Sequence, residues 1–193
     1  FNNCVEDVTI STNIWNCTGT YLVPNLFDEL ADDCGEVVDV QIYVSRGTVI
    51  ETAANSNQFS IVNLPIGTHS VKIKGIDNCG NFAVCEFELS VIDDVPPIVI
   101  CDQHTIVSLP GDGGVHLYPE TIDDGSFDNC SDIKLQIYRM SNNCNSLTDT
   151  IPGDFVNFCC ADVENEDNRV VLRAWDDADK DGMFGTEGDN YSE

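Results

Sequence analysis

Positive charge is what this chain has least of. Its 193 residues hold 8 lysines and arginines against 34 aspartates and glutamates, a formal net charge of −26. A field of that sign repels phosphate backbones and anionic bilayers, which argues against nucleic acid and lipid surfaces as partners. Divalent cations are its natural counterpart, with a merely solvated acidic coat as the competing reading. Histidine is scarcer still, at 3 scattered residues (His69, His104, His116), and no Cys-x-x-Cys pair occurs, so zinc knuckles are not expected. No run of about 18 apolar residues is present to cross a membrane as a helix. There is no Gly-x-Ser-x-Gly elbow and no Ser-His-Asp arrangement. Carboxylates are too numerous to single out a hydrolytic pair, so no catalytic residue is assigned and no enzyme is expected.

Cysteine, by contrast, is abundant. Ten cysteines (Cys4, Cys17, Cys34, Cys79, Cys85, Cys101, Cys130, Cys144, Cys159, Cys160) against 2 methionines predict disulfides and an oxidising compartment. Phe1 is not an initiator and no secretory signal precedes it. The chain therefore reads as a mature or excised segment of a secreted, extracellular or cell-surface protein.

Alternation of apolar and polar residues dominates the rest. Residues 37–44, 70–76, 135–138 and 170–175 place apolar side chains on one face with period two, the mark of half-buried strands. Proline- and glycine-containing turns separate them, as at Leu64-Pro65-Ile66-Gly67, Pro110-Gly111-Asp112-Gly113-Gly114 and Ile151-Pro152-Gly153-Asp154. Only Asn25 to Ala31 has room for a helical turn. Many short strands with polar turns predict an all-β protein built from immunoglobulin-like β-sandwiches.

The frame is written twice. Each copy opens with a cysteine and a strand-like run. Each then reaches an apolar patch ending in proline (Tyr21-Leu22-Val23-Pro24; His116-Leu117-Tyr118-Pro119) and an acidic stretch closed by a cysteine (Asp32-Asp33-Cys34; Asp128-Asn129-Cys130). The first copy closes with Cys85-Glu86-Phe87-Glu88-Leu89-Ser90-Val91-Ile92; the second has no such run before Glu193. Two tandem sandwiches follow, residues 1–95 and 96–193, the second lacking its own last strand. Pro96-Pro97 makes the joint short and stiff, as a rod-like fibre, stalk or adhesin would need.

Cys4-Val5-Glu6-Asp7-Val8-Thr9-Ile10-Ser11 resembles the opening strand of hyalin-repeat domains. Leu64 to Val71, Gly75 to Asn81 and Cys85 to Leu89 resemble that family's central and closing strands. The second copy, through Asp123 to Cys130 and Phe158-Cys159-Cys160-Ala161-Asp162, is similar to variants arrayed in large surface proteins of Bacteroidota-type bacteria. The resemblance implies an immunoglobulin-like fold, extracellular placement, roles in adhesion or structural arrays, and a bridge between Cys4 and Cys85. It implies no catalytic residues.

The sharpest local motif is Asp177-Ala178-Asp179-Lys180-Asp181-Gly182. Carboxylates at positions 1, 3 and 5 with glycine at 6 let a tight loop converge on Ca²⁺. Position 12 is Gly188 rather than glutamate, so Glu187 or Asp189 and the Met183 carbonyl are the expected further donors. Asp93 and Asp94 at the joint form a second, weaker calcium candidate, and Asp32, Asp33, Asp123, Asp124 and Asp128 sit in equivalent acidic loops. Asn16, Asn129 and Asn190 match the N-glycan acceptor pattern. Asp149-Thr150-Ile151 resembles the O-glycan acceptor of Bacteroidota-type secreted proteins.

These features predict a structural subunit of an extracellular filament or surface array, stiffened by calcium and disulfides. The competing reading is an adhesin module gripping a glycan or protein ligand. A sandwich without its closing strand exposes a sheet edge, and such edges recruit strands from other chains. The expected donor lies in residues 1–12 of the next copy, with Phe1, Cys4, Val5, Val8 and Ile10 as assembly residues, giving a head-to-tail homopolymer. Cysteine parity leaves one odd thiol in each half. Cys101 then bridges to Cys4 of the next subunit with Cys17 paired within its own copy, or Cys17 is itself the intermolecular partner. Within copies, Cys34 is expected to join Cys79. Cys130, Cys144, Cys159 and Cys160 are expected to form two bridges, one from each of the adjacent pair.

Overall fold

The computed structural model describes residues 4–24, 37–52, 58–141, 144, 148–165 and 168–193. The candidate helical turn at Asn25 to Ala31 and the residues Phe1, Asp32, Asp33 and Cys34 lie outside them. The chain divides into two units, Phe1–Val95 and Pro96–Glu193. Among the described residues no helix is long and apolar enough to cross a membrane.

Among its described residues the first unit contains seven strands: β1 (Val8–Ser11), β2 (Thr18–Leu22), β3 (Val37–Val44), β4 (Thr48–Glu51), β5 (Phe59–Pro65), β6 (Gly67–Asp77) and β7 (Phe82–Ile92). They form a four-stranded sheet in the order β1-β7-β6-β3 and a three-stranded sheet in the order β2-β5-β4. Period-two alternation drives them together. Val71 and Ile73 of β6 and Cys85, Phe87, Leu89 and Val91 of β7 all point inward, where they meet Ile61 and Leu64 of β5. Gly19 of β2 lies so close to the opposite sheet that a Cβ there would stand 2.9 Å from Ile10 Cδ1. β6 and β7 pair antiparallel through a hairpin, whereas β1 pairs with β7 in parallel, Val8 opposite Leu89 and Ile10 opposite Val91.

The second unit holds β8 (Gly114–Leu117), β9 (Ile133–Arg139), β10 (Val156–Cys159), β11 (Val170–Asp176) and β12 (Tyr191–Ser192), with short 3-10 turns at Pro119–Thr121 and Cys160–Asp162. Its sheets are β10-β8 and β12-β11-β9. Leu117, Ile122, Ile137, Val156, Phe158 and Leu172 make its core. Fold class and repeat are thus as the alternation implied: all-β, two tandem immunoglobulin-like sandwiches, the second with fewer strands.

The copies differ where they close. The β6–β7 hairpin pairs ten residues of each strand, whereas β12 pairs only Tyr191 with Trp175 and Ser192 with Ala174. From Val170 to Arg173, β11 carries β9 on one edge and no strand on the other among the described residues.

Candidate functional site

Aligning the two opening segments on their cysteines places Cys101 at Cys4, Thr105 at Val8 and Val107 at Ile10. In the first unit that segment becomes β1, bonded to β7. In the second, residues 104–110 form no strand; Val107 and Leu109 turn half-inward and Ile106 is 94% exposed. Beside this segment lies a groove of 340 Å³, lined by Val107, Leu109, Leu117, Phe158 and Val170 together with the polar residues Asp162, Asn165 and Asn168. The corresponding place in the first unit is filled by β7, which lies between β1 and β6 and supplies Cys85, Phe87, Leu89 and Val91 to the core. An unpaired backbone edge can take up a further β-strand.

The expectation that the N-terminal segment is a spare donor strand is corrected. Cys4 is disulfide-bonded to Cys85, β1 is hydrogen-bonded to β7, and Val5, Val8 and Ile10 pack on the core of their own sandwich. Their alternating apolar pattern is already satisfied at home.

Two further disulfide expectations change. Cys79 is a free, exposed thiol, so it makes no bridge to Cys34. The β6–β7 turn is closed instead by the Asp77 carboxylate, which accepts from the backbone amides of Cys79 (2.8 Å) and Asn81 (2.7 Å) and from Asn81 Nδ2 (2.7 Å). Gly80 there has φ +86°, a conformation that costs glycine little. In the second unit Cys144 bonds Cys159, while Cys160 is free and exposed where the chain turns into Cys160–Asp162, with its Sγ 3.8 Å from the Gly113 carbonyl. Only one bridge therefore comes from the adjacent pair. Cys17 and Cys130 are disulfide-bonded, and Cys101 is a free, exposed thiol.

The acidic loop after β11 brings Asp177, Asp179 and Asp181 together, one carboxylate oxygen from each lying within 4.8 Å of the others. That spacing suits a single ion with oxygen ligands at about 2.4 Å. The loop reaches it through two left-handed residues, Lys180 (φ 60°) and Gly182 (φ 80°). Backbone amides brace the carboxylates: Asp181 N donates to Asp179 Oδ1 (3.1 Å), Gly182 N to Asp177 Oδ2 (3.1 Å) and Met183 N to Asp181 Oδ1 (2.7 Å). Asp189 Oδ2 accepts from Gly185 N, Thr186 N and Thr186 Oγ1, while its Oδ1 is buried with no hydrogen-bond partner. Gly188 lies against the Asp179 carboxylate, a Cβ there falling 3.5 Å from Oδ2. Glu187 and Met183 are exposed. This donor set fits a hard divalent cation.

Asp94 is exposed, whereas Asp93 is buried and accepts a hydrogen bond from Thr12 Oγ1 (3.2 Å). One residue escaped the sequence reading altogether. Asp176, fully buried at the end of β11, approaches Asp128 within 4.8 Å and takes hydrogen bonds from Asn190 N (2.6 Å) and Asn190 Nδ2 (3.4 Å). Asp128 Oδ1 binds the amides of Cys130 and Ser131, and its Oδ2 is buried without a partner. The signal was a carboxylate at an inward position, two residues beyond Ala174.

Of the glycan candidates, Thr150 is exposed. Asn190 Nδ2 is engaged by Asp176, Asn129 Nδ2 contacts Cys130 Sγ at 3.3 Å, and Asn16 Oδ1 accepts from Asn13 Nδ2 at 2.7 Å.

No protein-family profile matches the chain, and no curated protein matches its sequence. Among solved structures, the chain is similar to fibronectin(III)-like modules of Clostridium thermocellum CbhA, at 15% identity and a TM-score of 0.33, over 97% of this chain and 88% of that one. It is also similar to the tandem Ig repeats of Dlar, at 11% identity and a TM-score of 0.28, over 97% and 90% of the two chains. At these scores the fold rests on the chain's own sheets: two tandem immunoglobulin-like β-sandwiches.

Proposed function

We propose that this chain is a structural, non-catalytic module of an extracellular filament or cell-surface array, its second sandwich completed by a strand from a neighbouring molecule. One observation carries the reading. The opening segment of the second unit borders a groove that no strand fills among the described residues, where the same segment of the first unit is bonded to β7. Disulfides and the hyalin-repeat resemblance of residues 4–11 and 64–89 support an extracellular place.

Calcium is the proposed cofactor, held by Asp177, Asp179 and Asp181 with Asp189 as a further oxygen donor. The ion would cross-link the loop between β11 and β12 and so brace that hairpin. Sedimentation and negative-stain microscopy of the purified chain, with Ca²⁺ and with chelator, test the proposal. Concentration-dependent oligomers or filaments are expected. A chain that stays monomeric at every concentration with and without Ca²⁺ overturns it.

A further inference from the structure

The second unit holds another cavity, with no residue in common with the groove beside Val107. It measures 400 Å³, within the range of about 300–1,000 Å³ usual for small-molecule sites. Its lining is chemically mixed. Tyr118 and Phe184 supply aromatic rings, Ile133 of β9 an aliphatic side chain, and Glu120, Asp154 and Lys134 charge of both signs.

The two rings are placed by different parts of the fold. Tyr118 follows β8 and precedes the turn at Pro119–Thr121. Its ring centre lies 5.9 Å from that of Phe155, which in turn lies 4.5 Å from that of His116, so three rings brace one another. Tyr118 nevertheless stays 48% exposed. Phe184 belongs to the acidic loop after β11, and the residues on either side of it bind that loop's carboxylates. Met183 N donates to Asp181 Oδ1 (2.7 Å) and Gly185 N to Asp189 Oδ2 (2.8 Å). A Cβ on Gly185 would stand 3.7 Å from the Trp175 ring, so the chain beside Phe184 lies against β11.

Charge selects what the cavity can take. An anion meets Glu120, Asp154 and the field of a chain with net charge −26. A cation meets Lys134. The side chains of all three are exposed and make no hydrogen bond or ion pair among the described residues. Lys134 only donates and the carboxylates only accept, so a neutral ligand rich in hydroxyls suits both. A pyranose ring also brings an apolar face. Its axial C–H groups pack on the negative face of an aromatic ring, and its equatorial hydroxyls reach charged groups at the rim.

We propose that this cavity binds a neutral pyranose sugar, stacked on Tyr118 and Phe184 and hydrogen-bonded by Glu120, Asp154 and Lys134. The acidic loop sets the affinity by placing Phe184. That coupling rests on the calcium proposed above, whereas the sugar site stands apart from both calcium and assembly.

The test follows the amide chemical shifts of the whole isotope-labelled chain during titration with cellobiose, lactose and N,N′-diacetylchitobiose. At least one sugar is expected to shift residues 118–120, 133–135, 154 and 184 together and to saturate. Tyr118→Ala and Phe184→Ala should each weaken that sugar by about tenfold. The double variant Glu120→Gln/Asp154→Asn, confined to exposed side chains, should weaken it by about threefold and leave the melting transition in place. Trp15→Ala removes a ring that is 79% exposed in the first unit and should change nothing. Saturating Ca²⁺ should tighten the sugar relative to EDTA, and the sugar should tighten Ca²⁺ by the same factor. Asp179→Ala/Asp181→Ala should abolish that difference.

No saturable shift with any of the three sugars overturns the site. Tighter binding of glucuronate or choline than of every neutral sugar overturns it too. A sugar affinity that ignores Ca²⁺, in a chain whose melting temperature EDTA lowers, overturns the role of the loop. A melting temperature indifferent to EDTA overturns the ion itself and that role with it. A chain that binds sugar and never assembles confirms the site and overturns only the filament reading.

Discussion

Arg139 and Asp162 show how much a single residue carries in the second unit. Arg139 is 1% exposed and Asp162 4%, and the guanidinium grips the carboxylate with both terminal nitrogens, at 2.5 and 3.0 Å. It also donates to the Asn157 carbonyl (2.7 Å) and lies 4.4 Å from the centre of the Phe158 ring. Desolvating both charges offsets much of their attraction, so the pair itself adds little, but removing one partner strands the other in the core. Asp162→Asn is expected to cost about 3–5 kcal/mol in urea unfolding. Replacing both residues by leucine or methionine should recover most of it. The acidic loop supports a second prediction at the same scale. If Asp179 and Asp181 hold Ca²⁺, adding the ion at a hundredfold excess over its dissociation constant stabilises the fold by about 2.7 kcal/mol. EDTA should then lower the melting temperature of the parent chain and leave that of Asp179→Ala/Asp181→Ala unchanged.

At the scale of elements, the β11–β12 hairpin depends on its side chains because so few residues pair. Arg173 donates from Nε (2.6 Å) and Nη2 to Glu193 Oε1 and lies 4.6 Å from the Tyr191 ring, and Tyr138 donates to the other Glu193 oxygen (3.0 Å). The Arg173 hydrogen bond, followed by that from Tyr138, holds the Glu193 carboxyl below its usual value of 4.5. A depressed carboxyl stabilises the fold above its unfolded value and ceases to do so as pH falls through its folded one. The hairpin is therefore expected to loosen below about pH 4.5, by about 0.5 kcal/mol for so exposed a pair. Exchange rates at Ala174 and Trp175, measured from pH 7 to pH 3, check this, and Glu193→Gln should flatten the profile.

The sequence made β6, β7, β9 and β11 legible because alternation is local: Val71, Ile73, Phe87, Leu89 and Leu172 each declare their face within a few residues. That the second copy carries no run like Cys85 to Ile92 among the residues up to Glu193 was legible by comparing the copies. Asp176 and Arg139 were not, since each sits at an inward strand position where an apolar residue is the rule, and Arg139 finds its partner 23 residues away. The free state of Cys79 was equally hidden, because pairing depends on which sulfurs the fold brings within reach. The same holds for β1, whose apolar pattern suits a donated strand and a resident one alike.

For the whole molecule, the parallel pairing of β1 with β7 and the Cys4–Cys85 bond have a mechanical meaning. The two strands leave a sandwich at opposite ends, so tension along the chain loads their hydrogen bonds in shear, all together, rather than peeling them one by one. The bond goes further, because load entering at Cys4 passes straight to Cys85 and bypasses the 81-residue span between them. Stretched from both termini, the first unit should yield only the few residues that follow Cys85. After reduction, the same pull should release an additional contour length of roughly 270 Å from that unit, at about 3.3–3.6 Å per residue. Single-molecule force spectroscopy with and without reductant reads this directly. A covalently shunted domain passes tension to its neighbours without unravelling, and in a reducing environment it becomes an extensible spring.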